Sequence, residues 1–391
     1  MTDRLYYHDS YLLEFRARVT DASPDRQRIY LDRTAFYPTS GGQPFDTGVL
    51  DSVDVTEVID EGDRIAHVIR APLPHDEVSG AIDWRRRFDH MQQHTGQHLL
   101  SAVLLELFDA PTVSFHLGAE SSTIDIAAGS FDSGQVRAAE NRANAIVFEN
   151  RPVTVGFQHS SEDLGLRKPT EREGLVRIVA IQDLDRSACG GTHVRATGEI
   201  GPILIRKLDR MRGNVRLEFL CGGRAVARAS ADYEGISAIA RSFSAPLDET
   251  PGLVAAQIVK LQDAEKMQRR LLVELAQLRG RQLHDDTLAG AGGIRRVVRK
   301  LASIAEDVRA EAQSFTAGGK AIYIAVAEQP PSILFAASPD SGVNAGELLK
   351  SILAKAGGRG GGNAVLAQGS VPSKEALESA LRELTAEDQS A

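Results

Sequence analysis

MQQHTGQHLLSAVLLELF, residues 91–108, decides the reading of this chain. Leu99, Val103 and Leu107 recur four apart, with Phe108 beside the last, which is the apolar spacing of a helix and not the alternation of a strand. His94 and His98 stand at i and i+4 of that helix, so their imidazoles share one face and can point at one ion. The same spacing returns in CGGTH, residues 189–193, where Cys189 and His193 add a thiolate and a third imidazole. Thiolate plus imidazole in a set of four suits a tetrahedral Zn²⁺. Either motif alone is weak, because a surface or capping histidine explains an isolated HxxxH. Together, with paired glycines that let the backbone close around a ligand, they make a metal centre the better reading.

His90 also falls on the helical stripe. Three histidines at that spacing span about 12 Å along the axis, too far for one ion. His90 sits beside Asp89 at the expected helix start, so it reads as a cap-region residue or an outer partner, and His94 with His98 as the ligand pair.

With 391 residues the chain is long enough for two to three domains and a sizeable core. It is 42% hydrophobic and 25% charged, with no long apolar run and no signal-like start, so a soluble cytoplasmic protein without membrane contact is expected. Of its two cysteines, Cys189 reads as a ligand in a reducing compartment and Cys221, in LEFLCGG, as a buried small hydrophobe. A net charge of −8 argues against binding RNA by global basicity. Local clusters remain candidates: Arg295, Arg296, Arg299 and Lys300, and Arg206, Lys207, Arg210 and Arg212.

The fold class expected is α+β, in four parts. Residues 1–85 hold short β-like runs (LEFRARVTD, RQRIYLD, RIAHVI) between turn signals, a small β-barrel-like domain. Within it TSGGQPFDTG has too many turn formers for a regular element. Its glycines either bring backbone N–H groups near a substrate or make a tight turn in the barrel wall. Residues 86–232 form an α+β domain carrying both metal motifs. Residues 233–290 form a helical arm with coiled-coil character, its seam through Leu261, Ala264, Leu271, Leu275 and Leu278 interrupted by Gln268 and Gln282. Residues 291–391 alternate helix-like and strand-like runs, an α/β pattern, with the Gly-rich GGRGGGNAVLAQG at 357–369.

HTGQHLL and CGGTH, together with FYPTSGGQPFDTG at 36–48 and GNVRLEFLCG at 213–222, resemble the alanyl-tRNA editing proteins, the AlaX family, freestanding relatives of the editing half of alanyl-tRNA synthetase. The resemblance covers essentially the whole chain, and the last hundred residues resemble the DHHA1 domain of the long forms. It implies one zinc per chain held by His94, His98, Cys189 and His193. It implies hydrolysis of the ester joining a wrong amino acid, chiefly serine with glycine second, to tRNA(Ala). Substrate contacts would come from Thr39, Gly41, Gly42, Gln43 and Ser114; for Ser114 a solvent-facing strand position is an equal alternative. RNA contacts would come from Arg212, Arg216, Arg295, Arg296, Lys355 and Arg359. The arm or the C-terminal domain would join two copies, and ATP binding attaches to the family through its synthetase kin. The motifs leave open whether zinc keeps an open position or is closed by four ligands. Three rivals stand beside this reading: threonyl-type editing, which also pairs HxxxH with CxxxH; a non-catalytic zinc-containing tRNA-binding module; and a DHH-type phosphoesterase, for which only the dipeptide Asp89-His90 is present. No aminoacylation domain precedes the β-rich region, so the protein is expected to act in trans.

Overall fold

Residues 1–211 and 213–386 are described by a computed structural model. It contains two units, Met1–Ile239 and Ala240–Ala391. In the first, β1 (Asp3–Arg4) pairs in parallel with β4 (Arg33–Thr34), beside a closed six-stranded barrel. The barrel strands are β2 (Glu14–Ala22), β3 (Arg28–Leu31), β5 (Gly48–Leu50), β6 (Val53–Asp60), β7 (Ile65–Ile69) and β8 (Glu77–Ile82), in the order β2-β3-β7-β6-β5-β8. Alternation puts Phe15 and Ala17 of β2 and Val78 and Ile82 of β8 inside, where they meet Leu31, Phe36, Leu50 and Ile65.

From the barrel the chain enters α1 (Trp84–Phe108), capped by the Asp83 side chain, which accepts from the Arg86 backbone N–H. Every residue from His90 to Leu104 is buried, so α1 is wrapped on all sides and has no solvent face along that stretch. The apolar spacing of the sequence shows only half of this. The polar side chains of α1 are also interior, and each finds a partner. Gln92 Nε2 donates to the Glu199 carbonyl at 2.9 Å. Gln93 exchanges two 2.9 Å bonds with the Cys221 backbone. Gln97 Nε2 donates to Ser101 Oγ at 2.8 Å. Buried amides without such partners would each cost about 1–3 kcal/mol.

Around α1 lie β9 (Thr112–Leu117), β10 (Ser122–Ile126), α2 (Ser133–Glu149), β11 (Val153–His159), β12 (Leu175–Ile181), β13 (Asp185–Ala188), β14 (Ile203–Met211) and β15 (Asn214–Cys221). They make two antiparallel sheets, β14-β15-β10-β9 and β11-β12-β13. The core joins Leu99, Leu100, Val103 and Leu104 of α1 to Ile124, Ile146, Ile181, Leu217 and Phe219. From β15 the chain turns directly into α3 (Gly222–Phe243), a helix that starts earlier than the arm expected from residue 233.

In the second unit α4 (Thr250–Asp286) is the long helix expected from the sequence. Its seam residues Leu261, Leu271, Leu275 and Leu278 are exposed. Its C-terminal part is buried at Ala276 and Gly280, where the helix packs on α5 (Glu306–Thr316). The sheet runs β16-β17-β18-β20-β19, with β16 (Arg295–Leu301) parallel to β17 (Ala321–Glu328), and β18 (Pro331–Ala337), β20 (Leu366–Ser370) and β19 (Arg359–Gly362) antiparallel. Helices α6 (Ala345–Lys355) and α7 (Lys374–Ala386) complete it. The Gly-rich segment is therefore neither loop nor linker along Arg359–Gly362; it is the edge strand of the sheet. The fold class is α+β as read: barrel, metal-motif domain, helical segment and C-terminal α/β domain. Among the described residues no helix is long and apolar enough to cross a membrane.

One fully buried ion pair joins barrel to helix. Arg87, on the first turn of α1, binds Asp46 through Nε and Nη2 at 2.5–3.0 Å and also donates to the carbonyls of Ser10 and Ala35. Asp46 in turn accepts from the Tyr37 N–H at 2.6 Å. Asp46→Ala leaves the guanidinium without its counter-charge and should lower the unfolding free energy by about 3–5 kcal/mol. The check is the first urea transition; an unchanged midpoint would show that the pair is dispensable. Asp46→Leu combined with Arg87→Met should recover most of the loss.

Candidate metal centre

Three separate segments build the site. Helix α1 supplies His94 and His98 on one face, and the turn after β13 supplies Cys189 and His193. The four donor atoms lie within 4.8 Å of one another. Cys189 Sγ is 3.4 Å from His94 Nε2 and 3.3 Å from His193 Nε2. A tetrahedral Zn²⁺ with ordinary bond lengths would set its S···N edges at about 3.6 Å, so the residues stand close to the required spacing.

The third segment is the barrel turn TSGGQPFDTG. Ser40 and Gln43 exchange backbone hydrogen bonds across Gly41 (φ 55°) and Gly42 (φ 83°), the left-handed pair of a tight hairpin turn. This brings Gln43 under His94. Gln43 Oε1 accepts from the Thr192 N–H at 3.2 Å, and Nε2 donates to Thr192 Oγ1 at 2.8 Å, which orients the amide. Oε1 also lies 2.8 Å from His94 Nδ1, so Nδ1 carries the proton and the Nε2 lone pair faces the site. His98 Nδ1 is 3.0 Å from Asp185 Oδ2, and His193 Nδ1 is 3.1 Å from Thr95 Oγ1. All three rings are thus held from behind with Nε2 forward, the posture of metal-ligating histidines.

Charge follows this geometry. Burial would push the Cys189 thiol up, but the imidazoles of His94 and His193 hold it well below its ordinary value, as a thiolate. Burial disfavours the His98 cation, yet the hydrogen bond to Asp185 and the neighbouring sulfur carry it up to about 9. Burial pushes His193 down to about 3. A buried thiolate ringed by nitrogen donors fits a divalent cation.

The turn must also approach closely. A Cβ on Gly191 would fall 2.2 Å from His94 Cε1 and 3.0 Å from Gln43 Oε1, so that position admits no side chain. Phe115 of β9 stacks on the His94 ring at 5.5 Å between centroids.

A cavity of about 310 Å³ opens onto the four residues. Of the substrate candidates, Gly41 and Ser114 line it. Thr39 does not: its Oγ1 accepts from the Phe45 N–H at 3.2 Å within the turn. Gly42 packs against Phe115, and the Gln43 amide is spent on His94 and Thr192. Ser114 is exposed and donates to Asp125 at 2.6 Å; Asp125 is clamped by Arg216 at 2.6 Å. His90 lies outside the cluster, buried, with Nδ1 unpartnered among the described residues and its cation pushed down to about 4 by burial.

The RNA candidates do not form one patch. Arg216 is engaged by Asp125, and Arg212 lies outside the described residues. Arg295 and Arg296 stand on β16, at one edge of the C-terminal sheet, and Arg359 on β19 at the other. Lys355, which closes α6, pairs with Glu383.

Residues not singled out from the sequence complete the site. Thr95 and Thr192 lie inside the two motifs, so their role as outer partners was within reach. Asp185 in DLDRSAC and Arg167, Lys168 and Arg172 in LRKPTERE carry no local signal and read as ordinary polar segments.

Two family models match the chain: the threonyl and alanyl tRNA synthetase second additional domain over residues 176–218, and the DHHA1 domain over residues 291–387. The alanyl-tRNA editing protein AlaX-L of Pyrococcus horikoshii is 32% identical, the match covering 98% of each chain. AlaX-M of Methanosarcina acetivorans is 37% identical over 56% of this chain and 98% of its own. The alanine–tRNA ligase of Pyrococcus furiosus is 32% identical over 96% of this chain, which spans 43% of that enzyme.

Gly191→Ala should leave the purified protein with little bound metal, and Gln43→Ala should weaken metal affinity by about 10–100-fold. Both are read by elemental analysis and competition with a chelator. A Gly191→Ala protein with a full complement of tightly bound metal would contradict the geometry.

Proposed function

The chain belongs to the alanyl-tRNA editing proteins, in the long form that ends in a DHHA1 domain, and from that premise we propose that it is a zinc-dependent deacylase of mischarged tRNA(Ala) acting in trans. The substrate is Ser-tRNA(Ala) first and Gly-tRNA(Ala) second. The observation that carries this reading is the convergence of His94, His98, Cys189 and His193, each histidine backed at Nδ1, on one cavity.

One Zn²⁺ per chain would be held by those four residues, and when bound it supplies a Lewis acid beside the ester. The remaining work falls to the chain. Phe115, stacked on His94, and Val113 give the cavity an apolar side that restricts water around the ester. The backbone of Gly41, with no side chain in the way, borders the same space. An aminoacyl ester is already labile, so holding it in register with a water supplies much of the acceleration without a strong general base. Gln43 acts as a positioning residue through His94 and does not touch the substrate.

Serine is separated from alanine by its hydroxyl. Ser114 lines the cavity, and its proton is committed to Asp125, which leaves its oxygen to accept from a seryl hydroxyl. A site that hydrogen-bonds a hydroxyl rejects the analogue lacking it. Ser114→Ala should narrow the rate difference between Ser-tRNA(Ala) and Ala-tRNA(Ala); an unaltered ratio removes Ser114 from this role. In the second unit, the exposed leucines of α4 are the surface we assign to a second copy, and Arg359 with Lys355 the edge we assign to tRNA.

The decisive test follows serine release from Ser-tRNA(Ala) beside Ala-tRNA(Ala), by protein of known zinc content before and after chelation. Serine should be released and alanine spared, with activity lost on chelation and restored by zinc. Cys189→Ala should lose both zinc and deacylation while uncharged tRNA still binds. No release despite bound zinc would favour the binding module instead.

A further inference from the structure

The cavity is cationic although the chain carries a net charge of −8. Its wall includes Arg4, Arg167, Lys168 and Arg172 against a single carboxylate, Asp60. Arg4 is neutralised by Asp60 through two 2.7 Å bonds. Arg167 is neutralised by Asp185, Nε to Oδ1 at 2.6 Å. Lys168 and Arg172 are exposed and have no carboxylate partner among the described residues; Glu171 and Glu173, which flank Arg172, do not line the cavity. Two uncompensated cations therefore face the space in front of the metal ligands.

Their segment is a built wall. Leu164 is buried against Val176 and Ile178, and the Arg167 N–H donates to the Arg186 carbonyl at 2.9 Å. Pro169 restricts Lys168 to an extended backbone. The Arg167 side chain grips Asp185 Oδ1 and Ser187 Oγ, while the other oxygen of Asp185 holds His98. One carboxylate thus fastens both the cation-bearing loop and a metal ligand, which fixes the loop relative to the four donors.

We propose that Lys168 and Arg172 clamp a phosphodiester of the single strand that bears the ester, so that the site takes a 3′-terminal oligonucleotide ester in preference to a nucleoside ester. The proposal rests on the deacylase reading and names what that reading leaves unassigned. The aminoacyl group cannot be the target of these cations, because its free amine is neutral or positive. The ester-bearing ribose carries its own 5′ phosphate one sugar away, and that phosphate is the anion which must accompany the ester into the cavity. Arg167, already committed to Asp185, is a positioning residue for the loop.

The test uses the full chain with two probes, the uncharged trinucleotide CCA and a pair of serine esters, one on CCA and one on adenosine. Lys168→Ala combined with Arg172→Ala should weaken CCA binding by about tenfold at low salt, and the slope of log K against log salt should shrink by about 1.4, near 0.7 for each lost phosphate contact. The kcat/KM preference for seryl-CCA over seryl-adenosine should collapse towards one. Lys168→Arg combined with Arg172→Lys should keep both slope and preference, which separates charge from loop folding. A double alanine variant with wild-type slope and preference, or wild-type protein that does not bind CCA, overturns the clamp. If wild type hydrolyses neither ester while the alanine variant still loses the salt slope, the deacylase reading fails and the clamp stands.

Discussion

The buried pair of Arg87 and Asp46 is the constraint on which the first unit depends. Neither side chain touches water, and the pair is made tolerable only because Arg87 also reaches two carbonyls and Asp46 accepts a backbone N–H. The geometry is demanding and leaves one register. It locks the barrel segment from Ala35 to Asp46 onto the first turn of α1. Gln43 lies three residues before Asp46 and His94 two turns beyond Arg87, so the same lock brings the Gln43 amide beneath the His94 ring.

That dependence explains why the site is polar far beyond its four ligands. A helix buried on all faces could have been apolar throughout, yet Gln92, Gln93, Thr95, Gln97 and Ser101 are inside it. Each carries a directional bond that fixes the rotation of α1 against its neighbours: Glu199, the Cys221 backbone, His193 and Val194. Apolar packing alone tolerates small slips between elements; a set of satisfied buried hydrogen bonds does not. The histidines are aimed by helix orientation, and the outer partners fix the last degree of freedom, which nitrogen faces forward.

The periodic parts of this arrangement were legible in the sequence. Leu99, Val103 and Leu107 gave the helix, and the two four-residue spacings gave the ligands that the fold brings together. What could not be read was contact between segments distant in sequence. Asp185 is ordinary in DLDRSAC until β13 sets it behind His98. Gln43 sits in a Gly-rich turn, where the glycines suggested an open binding loop; the turn is instead closed by the Ser40–Gln43 bonds and spent on support. The glycines of 357–369 misled in the opposite sense. Gly360 and Gly362 lie against β20 where a Cβ would strike Gly369 and Ala367, so there the lack of side chains permits a tightly paired strand.

Asp185 shows how support and access are joined. Its Oδ2 takes the His98 Nδ1–H and the Ser187 hydroxyl, and its Oδ1 takes Arg167. Burial would raise this carboxyl, but the hydrogen bond and charge of His98, with the charge of Arg167, keep it below the usual carboxylate range. The anion is shared between a ring that faces the interior and a guanidinium whose loop faces solvent. A change in that loop's position must therefore be felt at His98, because a buried carboxylate that loses one cationic partner strengthens its hold on the other. Ligand geometry and the mouth of the cavity are set by one buried charge, and neither can be altered by a substitution at Asp185 without the other.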